Sequence, residues 1–518
     1  MTRFDTRDDS VVVVIGSGAS GAVVANQLAQ RGVDVVCLEA GRRLGFDDMV
    51  NDEAAMFPRF TWLDERIGSG DALGGFPVWN CKTVGGTTMH WTGTSLRLQA
   101  HELRARSTYG AMAGTNLANW PFDHDEIAPW YAAAEDRMGV TGTHGIARLP
   151  GNNNYKVLEA GARKLGYSEI HTNNVAINSA PRDGRSGCLQ LGFCTSGCKV
   201  GAKWSTLYTE IPAAEATGHF ELRSECMAVG LQHDRNARIT AVDYLDGSGK
   251  RVTQRARAVC VAGNVVETTR LLLNSRSEAF PDGLANSSDQ LGRNYMRHAL
   301  GAVIGLMPGP VNLHRGTHQA GVVLDERGHD PARGFAGGIL YLTVPFTPET
   351  FSKLLMPGGW GRDLTAVLER YDHLAAMLVH GEDMARPGNR ITLHPTRRDR
   401  YGLPVPVVHY EEHPNTLKLL DYALARGSAM YKALDASEVF TVQNGFPATH
   451  NMGTARMGTD PKTSVCNPYG RTHDMPNLFI SDGSLFPSAG CENPTLTIVA
   501  LALRQAEHLH GLLARNVI

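Results

Sequence analysis

Regular structure begins with a run that is apolar at every position, Val11-Val12-Val13-Val14-Ile15. A strand apolar on both faces belongs inside a buried sheet, and successive β-branched residues favour strand over helix. Glycines at 16, 18 and 21 follow, then a helix predicted over residues 22–31, then a second apolar strand over 33–39 that ends on Glu39. Strand, glycine turn, helix and strand predict a parallel βαβ unit.

Farther along, residues 42–80 are irregular and rich in Gly, Asp, Phe and Pro, which predicts covering loops. Residues 81–93 hold too many glycines and β-branched residues for a stable helix and are expected to face a ligand as a loop. Asp123 can cap a helix over 123–138, with Asp125 and Glu126 in its first turn. Three alternating stretches, at 220–223, 239–244 and 256–262, predict a strand meander, followed by a helix over 265–274. Between about 298 and 444 short alternating strands, including 390–393 and 405–410, mix with helices such as one over 364–378. A strand at 477–481, an Asp482-Gly483 turn, a loop and an apolar helix after 495 return the chain to the first unit.

The glycine spacing brings in chemistry. Gly16 permits the tight turn, Gly18 lets backbone N–H groups approach a pyrophosphate, and Gly21 lets the helix pack closely on the strand. Glu39 is placed to accept both hydroxyls of an adenosine ribose, which favours a dinucleotide without a 2′-phosphate. Ala262-Gly263-Asn264 forms a second strand, glycine and helix junction that can meet the same cofactor.

Bulk properties narrow the function classes. At 518 residues a two-domain enzyme is the natural expectation. Fifty basic against fifty-two acidic residues create no field for nucleic acid or an anionic membrane. No run is long and apolar enough for a membrane span, and nine cysteines do not suggest a disulfide scaffold. A cytoplasmic protein is expected, with export beside a signal-bearing partner subunit left open.

The last hundred residues carry Thr449-His450-Asn451-Met452-Gly453, Asp482-Gly483-Ser484 and Asn493-Pro494-Thr495. With the opening fingerprint, Val84-Gly85-Gly86-Thr87, Ala262-Gly263-Asn264 and Gly292-Arg293-Asn294, in this order, the chain resembles the glucose–methanol–choline family of FAD oxidoreductases over nearly its whole length. The resemblance implies an α/β (α+β overall) fold. A doubly wound FAD-binding domain would comprise residues 1–298 and 441–518, and a substrate-binding domain of antiparallel sheet plus helices residues 299–440. It implies His450 as the active-site base and Asn493 as its partner. Asp482 and Gly483 would serve the pyrophosphate or ribityl end, and the helix beginning near Pro494 and Thr495 would point its positive end at the flavin. Oxidising an alcohol requires a proton to leave oxygen as hydride leaves carbon, which a neutral imidazole assists.

Gly85-Gly86-Thr87-Thr88-Met89-His90-Trp91-Thr92 is similar to two branches of that family. In pyranose 2-oxidases the corresponding histidine carries covalent FAD and the threonine at Thr92 lies near flavin N5. In the FAD subunits of bacterial sugar and gluconate dehydrogenases the histidine at His90 need not be bonded to flavin. In the dehydrogenase branch a trio spaced like Cys188, Cys194 and Cys198 holds a [3Fe–4S] cluster, because clustered thiolates repel unless a cation or cluster absorbs their charge. A zinc site, a local disulfide and reduced thiols are the other readings of the trio. The expected substrate is a small-molecule alcohol, sugar, polyol or glycoside, and the electrons would go to an external acceptor such as a protein or small subunit. An oxidase making hydrogen peroxide is the first alternative and a flavin-containing lyase the second.

Overall fold

The computed structural model describes residues 3–348, 352, 358–443 and 446–518. Its centre is a five-stranded parallel sheet in the order Leu478–Ile480, Ala258–Val261, Val12–Ile15, Val35–Leu38, Phe220–Arg223. Val12, Val13 and Val14 are wholly buried, as a strand apolar on both faces requires. The helix Gly21–Ala29 packs on the sheet and on the C-terminal helix Thr495–Ala514, which in turn packs on His124–Met138. The last of these begins where expected, with Asp123 accepting from the Glu126 N–H at 2.9 Å.

The meander differs from the sequence expectation. Its strands are Met227–His233, Ile239–Leu245 and Arg251–Arg255, whereas Phe220–Arg223 and Ala258–Val261 belong to the parallel sheet. Ala258–Val261 is buried on both faces and inserts beside Val12–Ile15, a contact that local alternation does not encode. Asn477 fastens the two sheets, donating to the carbonyls of Ile239 and Arg257 while accepting from the Ile239 N–H.

A six-stranded antiparallel sheet forms the second layer, in the order Glu438–Gln443, Ala299–Leu306, Leu374–Gly381, Ile339–Thr343, Gly321–Val323, Ile170–Thr172. Helices Pro414–Lys432 and Asn153–Lys164 pack on it. This sheet takes a strand and a helix from before residue 173, so the expected stretch 299–440 does not by itself contain the body it helps to build. Conversely, Arg390–Arg398 and Pro404–Tyr410 leave it to join Ile67–Gly70 in a small sheet against Val265–Asn274.

The helix expected over 364–378 stops earlier. Gly361–Leu368 is helical, but Leu374–Gly381 is a central strand of the second sheet, almost entirely buried. A short apolar run buried on both faces carries no period that separates strand from helix. Likewise, residues 42–80 are not only loops: Asp52 caps the helix Glu53–Phe60 and Ile67–Gly70 is a strand.

Candidate active site

Between the parallel sheet and the six-stranded sheet lies one cavity of about 1560 Å³. A single small-molecule site is usually roughly 300–1,000 Å³, so this one has room for a dinucleotide and a further small molecule.

Close backbone approach builds one end. Gly16 has φ +101°, and a Cβ there would lie 2.3 Å from the Ala262 carbonyl oxygen. A Cβ on Gly21 would lie 2.0 Å from the Gly16 oxygen. Gly18 faces Gly86 across the cavity wall, and a Cβ on Gly86 would come within 2.9 Å of the Gly18 Cα. These contacts leave bare backbone toward the cavity, the surface a pyrophosphate needs. Gly16, Gly18, Gly86, Thr87, Ala262 and Gly263 line the cavity, whereas Gly21 and Gly85 stand behind its wall. Gly85 donates its N–H to Ser17 Oγ, which donates to Glu39 Oε2 at 2.7 Å. Glu39 also accepts from the Ser17 and Gly41 N–H groups, so its carboxylate is held in place at the cavity edge.

Asp482 lines the same cavity and has two structural bonds. It accepts from Thr268 Oγ1 at 2.5 Å and from the Ser484 N–H at 2.8 Å, capping the turn Gly483–Leu485. Gly483, Asn493, Pro494 and Thr495 also reach the cavity, so the N-terminus of Thr495–Ala514 opens onto it.

On the far wall, His90 stacks on Trp79 with ring centroids 4.4 Å apart, and its Nε2 is buried without a hydrogen-bond partner. Burial and the nearby Lys203 ammonium push its pKa down to about 3. Trp91 and Thr92 follow on the same wall; Trp91 Nε1 donates to the Trp204 carbonyl and Thr92 Oγ1 to Gln319 Oε1.

His450 and Asn493 meet, with Asn493 Nδ2 3.2 Å from His450 Nε2. Both lie on the cavity wall. Burial pushes the His450 pKa down to about 4, so the ring is neutral and offers a lone pair. Behind it, His298 Nδ1 lies 2.9 Å from His450 Nδ1, and His380 packs edge-on to the same ring. The three histidines bring one ring nitrogen each to within 4.8 Å of one another. Neither His298 nor His380 stood out in the sequence, because each ends or precedes an ordinary apolar strand and only the tertiary fold joins them.

Cys188, Cys194 and Cys198 all pack against one small apolar cluster that includes Leu149, Val175 and Ile177. All nine cysteines are free thiols. Cys188 Sγ accepts from the Gln190 N–H and Cys198 Sγ from the Lys203 N–H, both at 3.4 Å. Among the described residues the trio is not one of the groups whose ligand atoms converge within 4.8 Å, as a single tetrahedral zinc would require. Burial pushes the Cys194 thiol up to about 11, opposed by Lys203. Residues 190–193 and Thr195 of this loop line the main cavity.

The family model described as GMC oxidoreductase matches residues 12–300, and a second of the same description matches residues 385–502. The chain belongs to the GMC oxidoreductase family. It is therefore an oxidoreductase of an FAD-binding family, and the glycine cradle above fits that cofactor. Paromamine 6'-oxidase of Streptomyces fradiae is 32% identical, covering 98% of this chain and 93% of the relative. The fructose dehydrogenase large subunit of Gluconobacter japonicus is 28% identical over 96% of this chain and 97% of its own. The crystal structure of pyridoxine 4-oxidase from Mesorbium loti aligns with a TM-score of 0.70 at 18% identity, covering 97% and 99% of the two chains, and shares the fold. Among the described residues no helix of this GMC oxidoreductase is long and apolar enough to cross a membrane.

Proposed function

We propose that this GMC oxidoreductase oxidises the CH–OH carbon of a sugar, polyol or glycoside. The contact between His450 Nε2 and Asn493 Nδ2 at 3.2 Å on the cavity wall carries the reading. Bound FAD supplies a two-electron hydride acceptor at N5. Gly16, Gly18 and Gly86 would hold its pyrophosphate, and the opening turn of Thr495–Ala514 would face its ring. A substrate hydroxyl entering beside His450 and Asn493 donates to His450 Nε2 and accepts from the Asn493 amide. His450 takes the proton as the alcohol oxygen gains charge, and Asn493 stabilises that charge. The surrounding histidines His298 and His380 are buried and held in the neutral form, so they place no positive charge beside the imidazolium that forms.

For the electrons that leave, we favour an external acceptor reached through a [3Fe–4S] cluster on Cys188, Cys194 and Cys198. Shared packing of the three cysteines, two N–H···S contacts and the nearby Lys203 cation support this choice. An oxidase is the second reading, favoured by the 32% identity to a relative named as an oxidase.

Anaerobic mixing of the flavin-loaded enzyme with a panel of sugars, polyols and amino-sugar glycosides tests the proposal. Bleaching of the flavin is expected for at least one member. His450→Ala should slow it by roughly 10²- to 10⁴-fold while FAD stays bound. An unchanged rate in that variant would remove His450 from the mechanism, and oxygen uptake during turnover would favour the oxidase.

A further inference from the structure

The direction of the hydrogen-bond chain through His450 is decided at its far end. Asn493 Nδ2 meets His450 Nε2 at 3.2 Å, and His450 Nδ1 meets His298 Nδ1 at 2.9 Å. Two arrangements of protons satisfy both contacts. In the first, the Asn493 amide donates to a bare His450 Nε2, His450 Nδ1–H donates to a bare His298 Nδ1, and His298 keeps its proton on Nε2. In the second, the Asn493 amide is rotated, every bond reverses, and His298 Nε2 is left bare.

The surroundings of His298 choose between them. Its ring is buried, Nε2 has no hydrogen-bond partner at normal distance, and the carbonyls of Ala489 and Gly490 face the imidazole and favour an N–H. With Nδ1 engaged by His450, a bare Nε2 would be a buried lone pair with no donor in reach and would forgo the proton that those carbonyls favour on the ring. The first arrangement leaves an N–H in that place. His380 does not alter the choice, because its ring meets those of His298 and His450 only through tilted or edge contacts at 5.6 and 5.3 Å.

We infer that His298 is a positioning residue that holds His450 in the tautomer carrying its proton on Nδ1, so that the Nε2 lone pair faces the cavity and Asn493. A neutral imidazole free to choose would spend part of its time with Nε2 protonated and useless as a base. An orienting acceptor on the opposite nitrogen removes that state. The same bond stays favourable after His450 accepts the substrate proton at Nε2, because Nδ1–H of the imidazolium donates more strongly to His298 than the neutral ring did. His298 therefore acts on the base and never touches the substrate.

This assignment rests on the alcohol-oxidising reading for its effect on rate, but not for the tautomer. Histidine-selective ¹⁵N labelling of the flavin-loaded protein reads the tautomer directly, with the His450 signals assigned by their loss in His450→Gln. The expected spectrum has a protonated Nδ1 and a bare Nε2 on His450. His298→Leu should mix the two tautomers and lower kcat for flavin reduction roughly 10- to 10³-fold, with KM little changed and FAD retained. His298→Gln, whose amide oxygen can accept from Nδ1–H, should restore the tautomer and most of the rate. A protonated Nε2 on His450 in the unaltered protein would overturn the inference, as would an unchanged tautomer in His298→Leu. Should that variant not accumulate, the unaltered protein and His298→Gln decide between the same outcomes. If no alcohol reduces the flavin yet His450 carries its proton on Nδ1, the substrate reading fails and this one stands.

Discussion

The ammonium of Lys203 lies 2.7 Å from the carbonyl oxygen of Trp91. It also donates to the carbonyls of Met89 and Cys194, at 2.9 and 2.5 Å, and is wholly buried. One side chain thus joins the cysteine loop to the turn that presents His90 and Trp91 to the cavity. Lys203→Met would leave three carbonyls without this donor. The expected loss is on the order of 3 kcal/mol, partly offset by removing a buried charge. A urea midpoint equal to that of the unaltered protein would show that the bridge adds nothing to stability.

The glycines of the opening turn should separate by role. Gly21→Ala forces a Cβ to within 2.0 Å of the Gly16 oxygen, so little folded protein is expected. In contrast, a Cβ on Gly18 meets nothing closer than the Gly86 Cα at 3.9 Å, and Gly18 lines the cavity at the proposed pyrophosphate end. Gly18→Ala should therefore fold normally and lose FAD on gel filtration. Normal flavin content in Gly18→Ala would place the pyrophosphate elsewhere.

Acid should destabilise the protein through its buried histidines. Burial lowers His450 and His318 to about 4 and His90 to about 3 in the folded state, against 6.5 ordinarily. Below pH 6.5 the unfolded chain binds protons that the folded one refuses, so stability present above 6.5 falls as pH drops toward the folded values. At pH 5 each ring withdraws roughly 2 kcal/mol. Urea midpoints measured at pH 7 and pH 5 should show a clear fall. Glu382 and Asp383, raised by burial to about 8 and about 6, take up protons in the folded state over the same range and offset part of the fall; a rise would mean that they outweigh the histidines or that these rings are charged in the native state.

Anaerobically purified protein should carry roughly three irons and four acid-labile sulfides per flavin under the cluster proposal, and Cys194→Ser should lose them. Flavin without iron, in protein checked for cluster loss, would leave the three cysteines as packing residues and move the oxidase to first place.

The sequence displays the cofactor end of the molecule well, because its chemistry is local. Val11 to Ile15, the glycines at 16, 18 and 21, and Glu39 sit within one βαβ unit whose spacing is imposed by backbone contact. The His450 and Asn493 pair was reached through family motifs and the structure joins them, though nothing in their separation along the chain requires it. His298, His380 and Lys203 are hidden for the same physical reason: His450, Met89 and Trp91, the partners that give them a role, lie far away in sequence. Leu374–Gly381 is not legible as a strand for another reason, since a strand buried on both faces shows no alternation. Residues 256–262 alternate well enough to suggest a meander, yet Ala258–Val261 completes the parallel sheet.

The parallel sheet places Leu478–Ile480 beside Ala258–Val261, and the helix Thr495–Ala514 rests on Gly21–Ala29. During synthesis on the ribosome the glycine turn emerges well before its edge strand and its covering helix, which lie several hundred residues further along. The intervening sheet of six strands has to form, or at least avoid sticking to the exposed edge of Ala258–Val261, while that edge waits. Folding of the cofactor half is then governed by closure of a very long loop, which makes it slow and exposed to aggregation. Free FAD would act mainly after that step, locking a sheet that closes only once Leu478–Ile480 has joined it.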